Sequence, residues 1–141
     1  MVRVRIAVGA LLVGTLFLMA CSDGGSATAP SATGASSHQV LTPAQLHDML
    51  ASEDVYLVNV HVPYEGEIPG TDAFVPYTEI ASKLDELPFG EHPVVIYCRS
   101  GNMSSEAADA MVAAGAPPFY ELSGGFNAWE NAGYPLQTNN A

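Results

Sequence analysis

Val94-Val95-Ile96-Tyr97-Cys98-Arg99-Ser100-Gly101-Asn102-Met103-Ser104-Ser105 decides the fold of this chain. Four residues with strong strand preference run straight into a cysteine, a short polar loop with one glycine follows, and the alanine-rich stretch Ser105 to Ala114 reads as a helix. A strand that feeds a tight loop and then a helix is the building unit of a parallel α/β sheet. In such sheets ligand sites lie outside the carboxyl ends of the strands, where Cys98 falls. Loop amides and the positive end of the helix dipole converge on whatever the loop surrounds, and here that is a sulfur. Such a setting favours a thiolate that is poised, ionised and reachable. Taken alone, Cys98 could equally be a small hydrophobe closing a core strand. The polar run Arg99, Ser100, Gly101, Asn102 directly after it weighs for the nucleophile.

Working outward, Gln39 to Leu41 is a short strand, and Thr42 caps a helix that starts at Pro43 and runs to about Ser52, with Leu46, Met49 and Leu50 on its buried stripe. Val55 to Val60 is a nearly continuous apolar strand, as a sheet covered on both faces requires. Ala73 to Pro76 is a weaker strand, Glu79 to Leu87 a short helix ending at Pro88, and Phe119 to Leu122 the last strand. Phe126 to Asn131 forms the last helix, stopped by Gly133 and Pro135. Gly124 and Gly125 read as the sharp turn that brings this helix against the Cys98 loop. The expected fold class is α/β: one domain with a mainly parallel five-stranded sheet and helices on both faces.

The chain divides into three parts. Residues 1–20 carry Arg3 and Arg5 ahead of an almost wholly apolar run from Ile6 to Ala20, the pattern of a signal peptide and too short for a spanning helix. Leu18-Met19-Ala20-Cys21 resembles a bacterial lipobox, which implies a lipid-modified Cys21 and a bacterial membrane anchor on the extracytoplasmic side. Residues 21–37 continue as a serine-, alanine- and glycine-rich linker without an apolar face, and 38–141 form the single domain. With Cys21 acylated, Cys98 is the one remaining thiol, so no internal disulfide is expected.

Charge narrows the partners. The chain holds 15 carboxylates against 4 lysines and arginines, a formal net charge of −11, and loss of the signal peptide leaves only Lys83 and Arg99 as cations. Nucleic acid is excluded as a natural partner, and attachment to anionic lipid must come from acyl chains rather than basic residues. A dianionic small molecule is repelled by the same field. His38, His47, His61 and His92 are scattered without metal-ligand spacing and read as surface or packing residues; nothing signals a metal, a nucleotide or an organic cofactor.

Three ordered segments resemble the rhodanese-like family of single-domain sulfurtransferases: Cys98 to Ser104 (CRSGNMS) its persulfide loop, Glu121 to Leu136 (ELSGGFNAWENAGYPL) its C-terminal signature, and Leu57 to Thr71 (LVNVHVPYEGEIPGT) its second-strand motif. The resemblance implies that Cys98 takes a sulfane sulfur from a small donor or a protein persulfide and passes it to a thiol acceptor. It also assigns Arg99, Ser100, Gly101, Asn102, Met103 and Ser104 to substrate and persulfide binding, the backbone N–H groups stabilising the terminal sulfur. A monomer is expected.

The chain departs from the family pattern at Met103, where many members carry arginine, and at Asn59 and His61, which stand for the family's usual aspartate and arginine. Thiosulfate is therefore a weaker expectation as donor than a neutral or protein-borne persulfide. The competing expectation is a catalytically weak or inactive rhodanese-like binding module that docks a protein partner. Cysteine-dependent phosphatases use a similar loop, but with an arginine six residues after the cysteine to grip phosphate, where this chain has Ser104.

Overall fold

The computed structural model describes residues 38–138; the signal segment, Cys21 and linker expected over 1–37 lie outside the described residues, as do 139–141. Five strands, β1 (His38–Leu41), β2 (Tyr56–Asn59), β3 (Ala73–Phe74), β4 (Val94–Tyr97) and β5 (Phe119–Leu122), form one sheet in the order β1-β5-β4-β2-β3. Every pairing is parallel, with Tyr56 opposite Val94 and Val95 opposite Tyr120. Helix α1 (Pro43–Ser52) connects β1 to β2, α2 (Asn102–Ala113) connects β4 to β5, and α3 (Gly125–Asn131) follows β5.

Alternation along the strands sorts the core into two layers. Val58, Val60, Val94, Ile96 and Cys98 pack with Ala107, Ala108 and Met111 of α2 and with Ile80 and Leu87. Leu57, Val95, Tyr97 and Leu122 pack on the other face with Leu46 of α1 and with Phe126 and Trp129 of α3. All four residues of β4 are buried, which explains why this strand reads as an unbroken apolar run.

Thr42 caps α1 as expected and completes a reciprocal box: its Oγ1 accepts from the Gln45 amide at 3.3 Å while its own amide donates to Gln45 Oε1 at 2.9 Å. Four elements named in the sequence reading differ in their bounds or type. The helix expected over 79–87 is two 3₁₀ turns, Ile80–Ser82 and Leu84–Glu86, because the chain leaves helical geometry at Lys83 (φ −116°, ψ 21°). That break lets Ile80, Leu84 and Leu87 all reach the sheet. The expected strands over 55–60 and 73–76 are shorter at 56–59 and 73–74. Most consequentially, α2 begins at Asn102 rather than Ser105, so Asn102, Met103 and Ser104 are its first turn and not loop.

Candidate active site

Cys98 follows β4 directly, and the strand alternation that sends Val94 and Ile96 toward α2 sends its side chain the same way. Its sulfur therefore lies under the first turn of α2. The Gly101 amide donates to Sγ at 3.1 Å, and the Ser104 hydroxyl lies 3.5 Å from it. Gly101 holds φ at +99° where the chain turns into α2, and as N-cap it has no side chain to cover the start of that helix.

The opposite side of the loop is held by α3. Amides of Phe126 and Asn127 donate to the carbonyls of Cys98 and Arg99 at 2.9 and 3.0 Å. Because a trans peptide sets N–H and C=O on opposite sides, the amides of Arg99 and Ser100 point away from α3. This close approach is what Gly125 permits: with φ at +58°, a β-carbon there would stand 2.1 Å from the Cys98 carbonyl oxygen.

The structure separates the residues that the sequence grouped around the sulfur. Ser100, Gly101 and Asn102 line a cleft of roughly 500 Å³ together with Val40, Ser105, Glu106, Glu121, Ser123 and Gly124. Ser104 is fully buried beneath that cleft, beside Sγ. Met103 is not a lining residue: the first helical turn directs it into the apolar layer with Met111 and Ala107. Arg99 is also outside the cleft, its Nη1 donating to Glu65 Oε2 at 2.8 Å. Nor is Cys98 open at a loop apex, being 1 % exposed, because its position in the strand alternation continues the core.

Residues around Glu65 account for the departures in the second-strand motif. The same Glu65 oxygen lies 3.2 Å from His61 Nε2, without the alignment of a hydrogen bond, and the buried His61 ring meets Phe126 edge-on at 5.9 Å. Asn59 is fully buried, donates from Nδ2 to the Gly66 carbonyl at 2.9 Å and accepts the His61 amide at 3.0 Å. A carboxylate at 59 could not make the first bond, and no arginine at 61 is present to pair it. Asn59 and His61, joined by the bond from the His61 amide to Asn59 Oδ1, therefore stand where the family pattern has an ion pair.

Tyr97 points to the opposite layer and secures the turn after this segment. The Ile68 amide donates to its oxygen at 3.0 Å, its hydroxyl meets Thr71 Oγ1 at 2.8 Å, and Thr71 donates to the Ile68 carbonyl at 2.7 Å. Burial pushes the Tyr97 phenol up to about 12, against the lowering effect of the Thr71 and Ile68 bonds.

Glu121 is the site residue that sequence reasoning missed. Only 4 % exposed, its Oε1 accepts from both Ser104 and Ser105 at 2.8 Å, and Oε2 lies 3.7 Å from His38 Nε2. The available signal was a carboxylate inside the strand Phe119-Tyr120-Glu121-Leu122, where burial is expensive unless the charge is hydrogen-bonded. Among the described residues no group of three or more histidine, cysteine, aspartate or glutamate side chains is placed to hold a metal ion.

A parallel α/β domain with its cysteine at the carboxyl edge of the central strand, beside the Gly101 amide and the start of α2, places that thiol where α/β proteins build their sites. The chain belongs to the rhodanese-like domain family, whose sequence model matches residues 42–132. It is 37 % identical over 92 residues to the thiosulfate sulfurtransferase GlpE of Pseudoalteromonas translucida, covering 63 % of this chain and 86 % of that protein. In structure it resembles a rhodanese-related protein from Thermoplasma volcanium (TM-score 0.59, 23 % identity, 70 % of this chain and 96 % of the other), a likeness of fold. It also resembles a Rhodopseudomonas palustris protein described as of unknown function and a possible tyrosine phosphatase (TM-score 0.54, 30 % identity, 72 % and 86 % covered). Family and relatives support a sulfurtransferase-type function.

Proposed function

We propose that the protein is a lipid-anchored extracytoplasmic sulfurtransferase, acting as a monomer, that moves a sulfane sulfur from a donor to a thiol acceptor through a persulfide on Cys98. The observation that carries this is the Gly101 amide on Cys98 Sγ at 3.1 Å under the uncapped start of α2. The Cys98 thiolate attacks the outer sulfur of the donor, a new S–S bond forms at Sγ, and the donor's S–S bond breaks with its electron pair leaving on the donor fragment. The terminal sulfur then carries negative charge beside outward-facing amides and the positive end of α2. An acceptor thiolate takes that sulfur and returns Cys98 as thiolate.

The cleft supports a neutral or protein-borne persulfide as donor over thiosulfate. Its lining includes the carboxylates Glu106 and Glu121 and no basic side chain, while Arg99 is occupied by Glu65. A dianion entering there meets like charge. Phosphatase chemistry is disfavoured for the same reason, since Ser104 stands where a phosphate-gripping arginine would have to be. Anchoring rests on the Cys21 resemblance, and Cys21→Ser should release the protein from the membrane fraction.

The decisive measurement is the mass of the full chain, and of its Cys98 peptide, after exposure to thiosulfate, polysulfide or a low-molecular-weight persulfide. One added sulfur atom on Cys98, absent in Cys98→Ser, supports the transferase. No gain with any donor refutes it and leaves the binding module, which the 1 % exposure of Cys98 favours.

A further inference from the structure

The Ser104 hydroxyl has one hydrogen and two acceptors for it, Glu121 Oε1 at 2.8 Å and the Gly101 carbonyl at 3.0 Å, while Cys98 Sγ donates to its oxygen at 3.5 Å. A hydroxyl donates preferentially to a carboxylate, the strongest acceptor and here the shortest contact. Directed there, it turns a lone pair toward sulfur and can only accept an S–H. A thiolate at Cys98 needs the reverse orientation and places a second anion one hydroxyl away from a buried carboxylate.

We propose that Glu121 is a positioning residue that acts through Ser104 to restrain the reactivity of Cys98, opposing the Gly101 amide that donates to the same sulfur at 3.1 Å, so that the nucleophile is governed by a buried carboxylate behind it. The groups facing the pair are few. From β1, His38 Nε2 lies 3.7 Å from Glu121 Oε2. From α2 come Ser104, Ser105 and, across the cleft, Glu106. Arg99, the cation nearest in sequence, is turned to Glu65 on the far side, and His61 lies in the other layer against Phe126. The charge of Glu121 therefore acts on Cys98 without an opposing lysine or arginine among these groups, and two like charges at such separation repel strongly in a protein interior.

The test is site-resolved alkylation of Cys98 in the full chain by a small iodoacetamide, followed on the Cys98 peptide from pH 7.5 to 10, where an ordinary imidazole is neutral. Glu121→Gln keeps an oxygen for Ser104 and removes the charge. Its Cys98 should alkylate roughly tenfold faster at pH 7.5, with the midpoint of the pH profile about one unit lower. Glu121→Asp keeps the charge and should stay within about threefold of the wild type. In a Ser104→Ala background the Glu121→Gln acceleration should shrink to less than about half. Equal acceleration by Gln and Asp would mark a packing effect and overturn the proposal, as would an unchanged profile in Glu121→Gln. Absence of alkylation in every variant overturns it too, since no nucleophile would then be governed. Sulfur transfer is not measured here, so the transferase reading can fail while this inference stands.

Discussion

Replacing Gly125 with alanine removes no contact, yet it should detach α3 from the nucleophile loop. The new β-carbon would lie 2.1 Å from the Cys98 carbonyl oxygen and 2.6 Å from the Arg99 carbonyl carbon, both backbone atoms that no rotamer change can move. Relief requires separation, which breaks the bonds from Phe126 and Asn127 to those carbonyls at 2.9 and 3.0 Å. Two such bonds at about 1 kcal/mol each, with about 1 kcal/mol for alanine at positive φ, give a loss of about 3 kcal/mol. For a domain of this size that lowers Tm by about 15 °C in thermal denaturation. Gly133→Ala is the control: it shares a positive φ of +88° but has nothing within 4 Å of its β-carbon, so only the conformational part applies. Its Tm should fall by about 5 °C. Equal shifts for the two variants would refute the account of how α3 supports the loop.

Alkaline denaturation should report Tyr97. The unfolded phenol ionises near 10 and the folded one at about 12, so the unfolded chain sheds its proton first. The contribution is complete below pH 10 and is lost as pH rises toward 12, amounting to about 3 kcal/mol. Tyr97→Phe should flatten that alkaline limb in urea titrations and cost about 1–3 kcal/mol at neutral pH, because the buried Ile68 amide loses its acceptor. An unchanged alkaline limb would show that another group causes it. Glu65→Gln frees Arg99 from its exposed ion pair and should lower KM for thiosulfate by up to about fivefold, leaving a neutral persulfide donor unaffected; equal effects on both donors would argue against charge as the discriminator. Thr42→Ala removes the α1 cap and should cost about 1 kcal/mol, read as a Tm lower by about 5 °C.

What the sequence by itself determined is local. The β4 run, the cysteine after it and the alanine-rich helix specify a βα unit, and the apolar continuity of β2 specifies a sheet covered on both faces, because side-chain period and β-branching act within a few residues. The cap at Thr42 was legible for the same reason. Helix starts were less so: Asn102, Met103 and Ser104 look like loop residues, yet they form the first turn of α2, with Met103 packed into the apolar layer and the Ser105 amide and Ser104 hydroxyl both donating to the Gly101 carbonyl. Tertiary structure alone decided what surrounds the sulfur. Arg99 finds Glu65 across 34 positions of sequence and Ser104 finds Glu121 across 17, because the order β1-β5-β4-β2-β3 brings their connections together. The side of the sheet on which Cys98 lies follows from strand alternation, but its closure under α2 depends on where that helix packs, and no spacing along the chain encodes that distance.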